Sequence, residues 1–209
     1  MNKNFSYQKI FQINNDSIKY EKISKFTGEK HNKKGKNFFY IENKDIENLA
    51  EKAFYQVSHF LRRSHLEKLK KILNDNSASN NDKYVALTLL KNANVAAGGI
   101  FPMCQDTGTA IVFAKKGSNL ITDGRDEEYL SKGIYKCFKK HNLRYSQVAA
   151  QSMYEEQNTK NNLPAQIDIS IDGKDEYNFL FIAKGGGSAN KTSFFQATPS
   201  VLRTKSIID

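Results

Sequence analysis

The chain has 209 residues, of which 39% are hydrophobic and 11% are aromatic, a composition that can bury one hydrophobic core. Two cysteines are too few for a disulfide scaffold, and no stretch approaches the ~20 consecutive apolar residues that cross a bilayer. The sequence therefore excludes a disulfide-rich domain and a transmembrane helix.

The positive charge is concentrated in the first third of the chain. The formal net charge is +10, and residues 1–71 contain 16 Lys and Arg against 8 Asp and Glu. A nucleic-acid surface would need these charges on one face with aromatic residues between them, whereas the lysines are scattered through an Asn- and Lys-rich sequence. We interpret them as a solvated surface and expect no nucleic-acid and no membrane partner. A non-catalytic binding module that uses this basic surface is kept as an alternative.

The first residues match no targeting signal. They lack the apolar segment of a secretory signal peptide. No arginine precedes Arg62, so an Arg-rich transit peptide is not indicated either. We expect a cytoplasmic protein and leave a mitochondrial location open.

Helical periodicity dominates the first half of the chain. Residues 1–42 predict short strands and loops. Apolar residues spaced three and four apart then predict a helix over residues 44–61. Ser64 and Glu67 match a capping box, which predicts a second helix that runs to about Leu73.

A third helix, a strand and a fourth helix are predicted next. Asp82 is expected to cap the third helix. Its inner face would carry the apolar residues Val85, Ala86, Leu89 and Leu90. The apolar run 110–114 predicts a buried strand. Residues 125–141 predict the fourth helix, with Cys137 on its apolar stripe as an inert core thiol.

The last part of the chain predicts two strands and the start of a helix. Isoleucines alternate with polar residues over residues 167–171, which is the period of a strand. A turn at 172–175 precedes a second strand over 177–183, so we expect a hairpin. A Thr-Pro pair at 198–199 predicts a helix start, and this helical pattern is unfinished at Asp209.

Residues suited to catalysis concentrate in the loop 103–109. Cys104 offers a thiolate, the ligand that iron–sulfur clusters prefer. Gln105 and Asp106 can hydrogen-bond or exchange protons with a group bound beside it. The chain contains two cysteines in all, so it cannot supply three or four thiolate ligands. Either Cys104 is not a cluster ligand, or the remaining ligands lie on sequence that is absent here.

Two further segments could bind an anion. The glycine-rich segment 184–191 matches neither a dinucleotide fingerprint nor a P-loop, yet its N–H groups could line an anion site. Arg144 follows the fourth predicted helix and could hold a carboxylate through two hydrogen bonds. An arginine at a helix end is also a common surface residue, and a glycine run is also a common tight turn.

Four motifs in a fixed order resemble one enzyme family. They lie at residues 103–110 (MCQDTGTA), 142–147 (NLRYSQ), 162–168 (NLPAQID) and 183–192 (AKGGGSANKT). Together with the helical stretch 45–94, they closely resemble the single-chain class I fumarases, the iron–sulfur fumarate hydratases. The resemblance covers nearly the whole chain.

The resemblance implies a reaction and a site. Class I fumarases hydrate fumarate reversibly to L-malate, a step of the tricarboxylic acid cycle. They use a [4Fe–4S] cluster that three cysteines hold, with one iron open to substrate. By this resemblance Cys104 is the first cluster ligand, and Gln105, Asp106, Arg144 and Gly187 are substrate contacts. Asp106 is also a candidate proton-transfer residue.

We expect a mixed α/β (α+β) fold, in which an N-terminal helical layer packs on a small, largely antiparallel sheet. The Cys104 and Gly187 loops would converge at one edge. The resemblance implies that residues 1–209 are the incomplete N-terminal iron–sulfur hydro-lyase domain of a two-domain, homodimeric enzyme and are inactive alone. An alternative is the α-subunit of a related two-chain hydro-lyase such as tartrate dehydratase.

Overall fold

The computed structural model describes residue 22 and residues 28–104, 106–173, 175–187 and 192–203. This part of the chain contains five helices and eight strands. In chain order they are β1 (Lys30–Lys33), β2 (Lys36–Tyr40), α1 (Asn43–His59), α2 (Arg63–Leu73), α3 (Asn80–Ala96), β3 (Thr109–Gly117), β4 (Leu120–Ile121), α4 (Asp126–Lys140), β5 (Val148–Ala150), β6 (Glu156–Asn158), β7 (Gln166–Asp172), β8 (Tyr177–Lys184) and α5 (Pro199–Arg203). The predicted mixed α/β class is confirmed. Among these residues no helix is both long enough and apolar enough to span a membrane.

The core forms where α1 and α4 pack against each other and against the sheet that contains β3. Apolar residues recur at helical spacing on both helices, so each helix presents one apolar stripe. The fully buried side chains include Ile46 and Phe54 of α1, Leu130 and Phe138 of α4, and Val112 of β3. The rings of Phe54 and Phe138 stack with their centroids 5.4 Å apart. The predicted helices at 44–61 and 125–141 are thus confirmed as α1 and α4.

The central sheet has the strand order β7-β3-β8. Strand β3 pairs in parallel with β7 and antiparallel with β8, so the sheet is mixed. The predicted hairpin of the last two strands is wrong, because β3 lies between them. A strand buried on both faces is most stable with hydrogen-bonding partners on both sides, and β3 is the strand whose side chains are most buried.

Two smaller sheets complete the β-structure. In one, β1 pairs antiparallel with β2, and β2 pairs in parallel with β4. In the other, β5 and β6 form an antiparallel pair. Three of the five pairings within the described residues are therefore antiparallel.

Helix α2 begins two residues earlier than predicted, at Arg63. Its N-cap is Arg62, which makes no side-chain capping hydrogen bond. The predicted capping box at Ser64 and Glu67 is therefore wrong. The carboxylate of Glu67 instead accepts from Arg63 Nε at 2.8 Å, an ion pair one helical turn apart, which is the spacing that brings two side chains together on a helix.

Helix α3 is capped by Ser79, so the predicted cap Asp82 is wrong. Ser79 Oγ accepts from Asp82 N at 3.1 Å, and Asp82 Oδ2 accepts from Ser79 N at 2.9 Å. This reciprocal pair is a capping box with Asp82 at its third helical position. The predicted inner face is also wrong in part, since Val85 and Leu89 are 46% and 45% exposed, whereas Ala86 is buried.

A buried ion pair links β3 to the start of α4. Lys116 Nζ donates to Asp126 Oδ2 at 2.8 Å, and Tyr177 Oη donates to the same oxygen at 2.8 Å. Burial alone would raise the pKa of Asp126, but the hydrogen bonds from Lys116, Thr122 and Tyr177 hold this pKa below its ordinary value. Burial and the nearby Asp126 carboxylate raise the pKa of Tyr177, so its hydroxyl stays protonated as a donor.

We expect Asp126→Asn to lower the free energy of unfolding at neutral pH by about 3 kcal/mol, because Lys116 loses its buried counter-charge. The folded-state pKa of Asp126 is lowered, so this stabilisation is complete above the unfolded-state pKa of about 4. It is lost as the pH falls through the lowered folded-state pKa. Thermal unfolding followed by circular dichroism at neutral and acidic pH measures the difference.

Asp168→Asn is the matched control, because Asp168 is exposed on β7 and its substitution should leave the unfolding temperature unchanged. Equal stability of Asp126→Asn and the unchanged protein at neutral pH would contradict the assigned role of the ion pair.

Candidate active site

Strand pairing brings two of the motif loops together. In the antiparallel register of β3 and β8, Thr109 lies opposite Lys184. The residues that precede β3 and those that follow β8 must therefore lie at the same end of the sheet. Gly187 N donates to Asp106 Oδ2 at 2.9 Å across this end. The expected convergence of the two loops is seen in this contact.

The Asp106 carboxylate is surrounded by hydrogen-bond donors. Burial would raise the pKa of Asp106, but hydrogen bonds from the N–H of Gly187, the Ser146 hydroxyl and the N–H groups of Gly186 and Gly108 lower it below its ordinary value. A carboxylate that accepts several backbone N–H bonds stays ionised. At neutral pH, Asp106 is therefore an ionised carboxylate that is held between two loops.

Gly108 allows the two loops to approach each other. Its φ is +61°, a conformation that residues with a Cβ adopt at a cost. A Cβ at this position would lie 1.9 Å from the carbonyl oxygen of Lys184 and 2.7 Å from the Cα of Gly185. No side chain fits in this space, so the close contact between the loops requires glycine.

We expect Gly108→Ala to lower the free energy of unfolding by about 3 kcal/mol, since the methyl group overlaps backbone atoms and the positive φ is strained as well. Gly187→Ala is the matched control, because a Cβ there meets no atom of the described residues within 4 Å. It should leave stability unchanged. Chemical denaturation of the two variants and the unchanged protein gives the comparison, and equal stabilities for all three would contradict the close contact.

Among the residues that the structure describes, the space beside Gly187 is open and could hold a ligand. The space is next to the Asp106 carboxylate, to which Gly187 donates its N–H. This placement agrees with the substrate contact expected at Gly187. The structure does not itself test that contact, which stays a prediction.

Arg144 lies in the loop that follows α4. Thr107 Oγ1 donates to the carbonyl oxygen of Arg144 at 2.5 Å, which ties this loop to the one that carries Asp106. The Arg144 side chain is exposed, on a loop that is tied through its backbone to the loop of Asp106. Its guanidinium is suited to a carboxylate because it offers paired donors in a plane.

The two cysteines differ in exposure, and the buried position that the sequence predicted for Cys137 is confirmed. Cys104 is exposed, and Cys137 is fully buried. Burial, with a smaller contribution from Glu51, raises the pKa of Cys137 to about 12, so its thiol stays protonated in the core. Within the described ranges no three His, Cys, Asp or Glu side chains are grouped as metal ligands. Of the two thiols, Cys104 is thus the one that is accessible from outside the core.

The remaining predicted site residue, Gln105, lies outside the residues that the structure describes. Two residues that the sequence analysis did not single out contribute to the site. Thr107 Oγ1 donates to the carbonyl oxygen of Arg144, and Ser146 Oγ accepts from Gly108 N. Both lie inside the sequence motifs, but no pattern in the sequence indicated that these hydroxyl groups join the loops.

Comparison with known proteins places the chain among enzymes of one kind. Residues 47–208 match the family described as "Fumarate hydratase (Fumerase)". The chain is 46% identical over 212 residues to "Fumarate hydratase 2" of Leishmania major, covering 99% of the chain and 37% of that protein. It is 48% identical over 202 residues to "Fumarate hydratase class I, anaerobic" of Escherichia coli K12, covering 96% of the chain and 37% of that protein.

A weaker similarity extends to a second kind of enzyme. The chain is 30% identical over 126 residues to "L(+)-tartrate dehydratase subunit alpha" of Escherichia coli UTI89, covering 58% of the chain and 40% of that subunit. The chain spans a little over a third of the length of the two fumarate hydratases that it matches.

Proposed function

Since the chain belongs to the fumarate hydratase family, we propose that the protein is a class I fumarate hydratase, which adds water reversibly to fumarate to give L-malate. The observation that carries the proposal is the hydrogen bond between Gly187 N and Asp106 Oδ2. It joins two motif loops, one with an ionised carboxylate and a free thiol and the other with open space for a small ligand. The exposed Arg144 lies on a third loop that is tied to the first.

Arg144 and Gly187 would bind the dicarboxylate substrate. The guanidinium of Arg144 can donate two parallel hydrogen bonds to one substrate carboxylate. The open space at Gly187 lets the carbon skeleton lie against the backbone beside Asp106. An arginine that is fixed through its own backbone also limits the orientations of the substrate.

Asp106 would transfer the proton. In the direction from malate to fumarate, its carboxylate accepts the C3 proton while hydroxide leaves C2, which gives fumarate and water after protonation of the hydroxide. In the direction of hydration, the oxygen of a water molecule bonds to C2 and that water releases one proton to solvent, while the protonated Asp106 gives its proton to C3. The lowered pKa of Asp106 keeps the acceptor form populated at neutral pH.

The residues of this chain fit one ligand position of a [4Fe–4S] cluster. Cys104 is an exposed thiol two residues before Asp106, and thiolate is the donor that such clusters prefer. Cys137 cannot be a cluster ligand, because it is fully buried in the core. When bound, the cluster would supply a Lewis-acidic iron for the substrate oxygens. The other cysteine ligands would belong to a part of the enzyme that these 209 residues do not include.

We further propose that this chain is the N-terminal portion of a two-domain enzyme that forms a homodimer. The extent of the match supports the first part of this proposal, that the chain is a portion of a longer enzyme, because it covers 37% of the Leishmania major and Escherichia coli relatives. Light scattering on the full-length protein would measure its mass. A cytoplasmic location likewise stays a prediction.

The experiment that tests this function compares substrates. The full-length protein, purified without oxygen, is given fumarate, mesaconate or L-tartrate, and product formation is followed by nuclear magnetic resonance. We expect the highest kcat/KM with fumarate. A higher kcat/KM with tartrate would favour the α-subunit of a two-chain dehydratase. Inactivity with all three, together with salt-dependent binding of nucleic acid, would favour the non-catalytic basic module.

A further inference from the structure

Asn162 is a fully buried polar residue in the loop between β6 and β7. Its side chain is 0% exposed, and its φ is +56°. Asparagine tolerates this left-handed conformation better than most residues with a Cβ. A buried amide is expected to be hydrogen-bonded through both its oxygen and its nitrogen. The partners of Asn162 therefore indicate what the residue holds in place.

The Asn162 amide connects two loops. Its Oδ1 accepts from Ser146 N at 3.0 Å and from Gln147 N at 2.9 Å, both in the loop that follows Arg144. Its Nδ2 donates to the carbonyl oxygen of Gly108 at 2.5 Å, in the loop that follows Asp106. All three partners are backbone groups, so the amide fixes the path of both chain segments.

Two further hydrogen bonds join the same loops. Thr107 Oγ1 donates to the carbonyl oxygen of Arg144 at 2.5 Å, and Gly108 N donates to Ser146 Oγ at 3.0 Å. Asn162 is the member of this network that bonds to both loops while lying on neither. Its loss would loosen both segments, because it removes three hydrogen bonds that tie them to a common residue.

We propose that Asn162 is a positioning residue that sets the placement of Arg144 relative to Asp106. Its Oδ1 accepts from the backbone N–H groups two and three residues after Arg144. Its Nδ2 donates to the backbone carbonyl oxygen two residues after Asp106. The consequence for catalysis rests on the proposed function, in which these two side chains bind the substrate carboxylate and transfer the proton. The link between the loops does not depend on that function.

Two variants separate the acceptor and donor contacts. Asn162→Gly removes all three hydrogen bonds and suits the positive φ. Asn162→Asp keeps oxygens that accept from Ser146 and Gln147, but it places a carboxylate oxygen against the carbonyl oxygen of Gly108. Asn142→Gly is the matched control, because Asn142 has a similar φ of +52° and is exposed.

Hydrogen exchange followed by mass spectrometry tests the link between the loops. In Asn162→Gly we expect the amides of residues 144–147 and 106–108 to exchange about tenfold faster, because both segments lose their common anchor. In Asn162→Asp the amides of Ser146 and Gln147 should stay protected while 106–108 is freed. Asn142→Gly should match the unchanged protein. Unaltered exchange of both segments in Asn162→Gly would overturn the inference.

Kinetics of the full-length enzyme test the consequence for substrate. Below its unfolding temperature, we expect Asn162→Gly to raise the KM for fumarate and to lower kcat/KM by about 100-fold, since small displacements of binding groups are costly. A purely structural role would lower the unfolding temperature and leave KM unchanged. A folded Asn162→Gly enzyme with an unchanged KM would therefore overturn the positioning role. If the unchanged enzyme does not hydrate fumarate, the proposed function fails, and hydrogen exchange alone decides whether Asn162 links the loops.

Discussion

Replacing Cys104 with serine is expected to abolish both the cluster and the hydration of fumarate in the full-length enzyme. A serine hydroxyl is a harder and much less acidic donor than a thiol, so it is a poor substitute for thiolate at an iron–sulfur cluster. Cys104 is exposed beside the Asp106 loop, and the chain contains no other accessible cysteine, since Cys137 is buried. Visible absorbance after anaerobic reconstitution measures the cluster.

Cys137→Ala is the matched control for this substitution. Cys137 lies in the core between α1 and α4, where its thiol stays protonated. Removing its sulfur should lower stability by about 1 kcal/mol through lost packing and leave the cluster and the rate intact. A Cys104→Ser enzyme that assembles the same cluster as the unchanged enzyme would contradict the assignment of Cys104 as a ligand.

Asp106→Asn is expected to lower kcat for fumarate hydration about 1000-fold, the range that removal of a proton-transfer group produces. Asparagine has nearly the same shape and keeps an oxygen that can accept from Gly187 N, but an amide cannot exchange the C3 proton. KM should change less than kcat. Initial rates over a range of fumarate concentrations separate the two effects.

Asp75→Asn provides the control for the change in charge. Asp75 is exposed between α2 and α3 and accepts from Ser77 N at 2.8 Å, a contact that asparagine can keep. Its variant should retain the full rate. If Asp106→Asn retains more than about a tenth of kcat, Asp106 does not transfer the proton, and its carboxylate serves to hold the glycine loop.

Local sequence patterns were sufficient for the elements that build the core. Ile46 and Phe54 on α1 and Leu130 and Phe138 on α4 repeat at helical spacing, and the structure buries all four. Each helix contributes one apolar stripe to a shared core. In such cases periodicity is informative because burial imposes it.

Periodicity could not predict which strands pair with each other. The pattern of β7 and β8 fits a hairpin as well as two strands that flank a third, since the alternation of side chains is the same in both. Here β3 takes the position between them. The start of α3 was predicted wrongly because Asp82 is a favourable capping residue, and only the hydrogen bonds show that Ser79 is the cap.

The candidate site was predicted from motifs rather than from geometry. Motif order indicated Asp106, Arg144 and Gly187, but the contact between Asp106 and Gly187 depends on the register of β3 and β8. Asn162 lies in one of the four motifs, but its role was not predicted, because its three hydrogen bonds reach residues 15, 16 and 54 positions away in the chain. Contacts at such separations are set by the fold and carry no local signal.

Cluster-dependent hydration of fumarate is the most direct test of the proposed enzyme. The full-length protein is purified without oxygen, and the disappearance of fumarate is followed by its ultraviolet absorbance before and after reconstitution with iron and sulfide. The account predicts that activity appears with the cluster and is lost again when the cluster is removed by oxidation and chelation. A folded, cluster-loaded protein that leaves fumarate unchanged would contradict it.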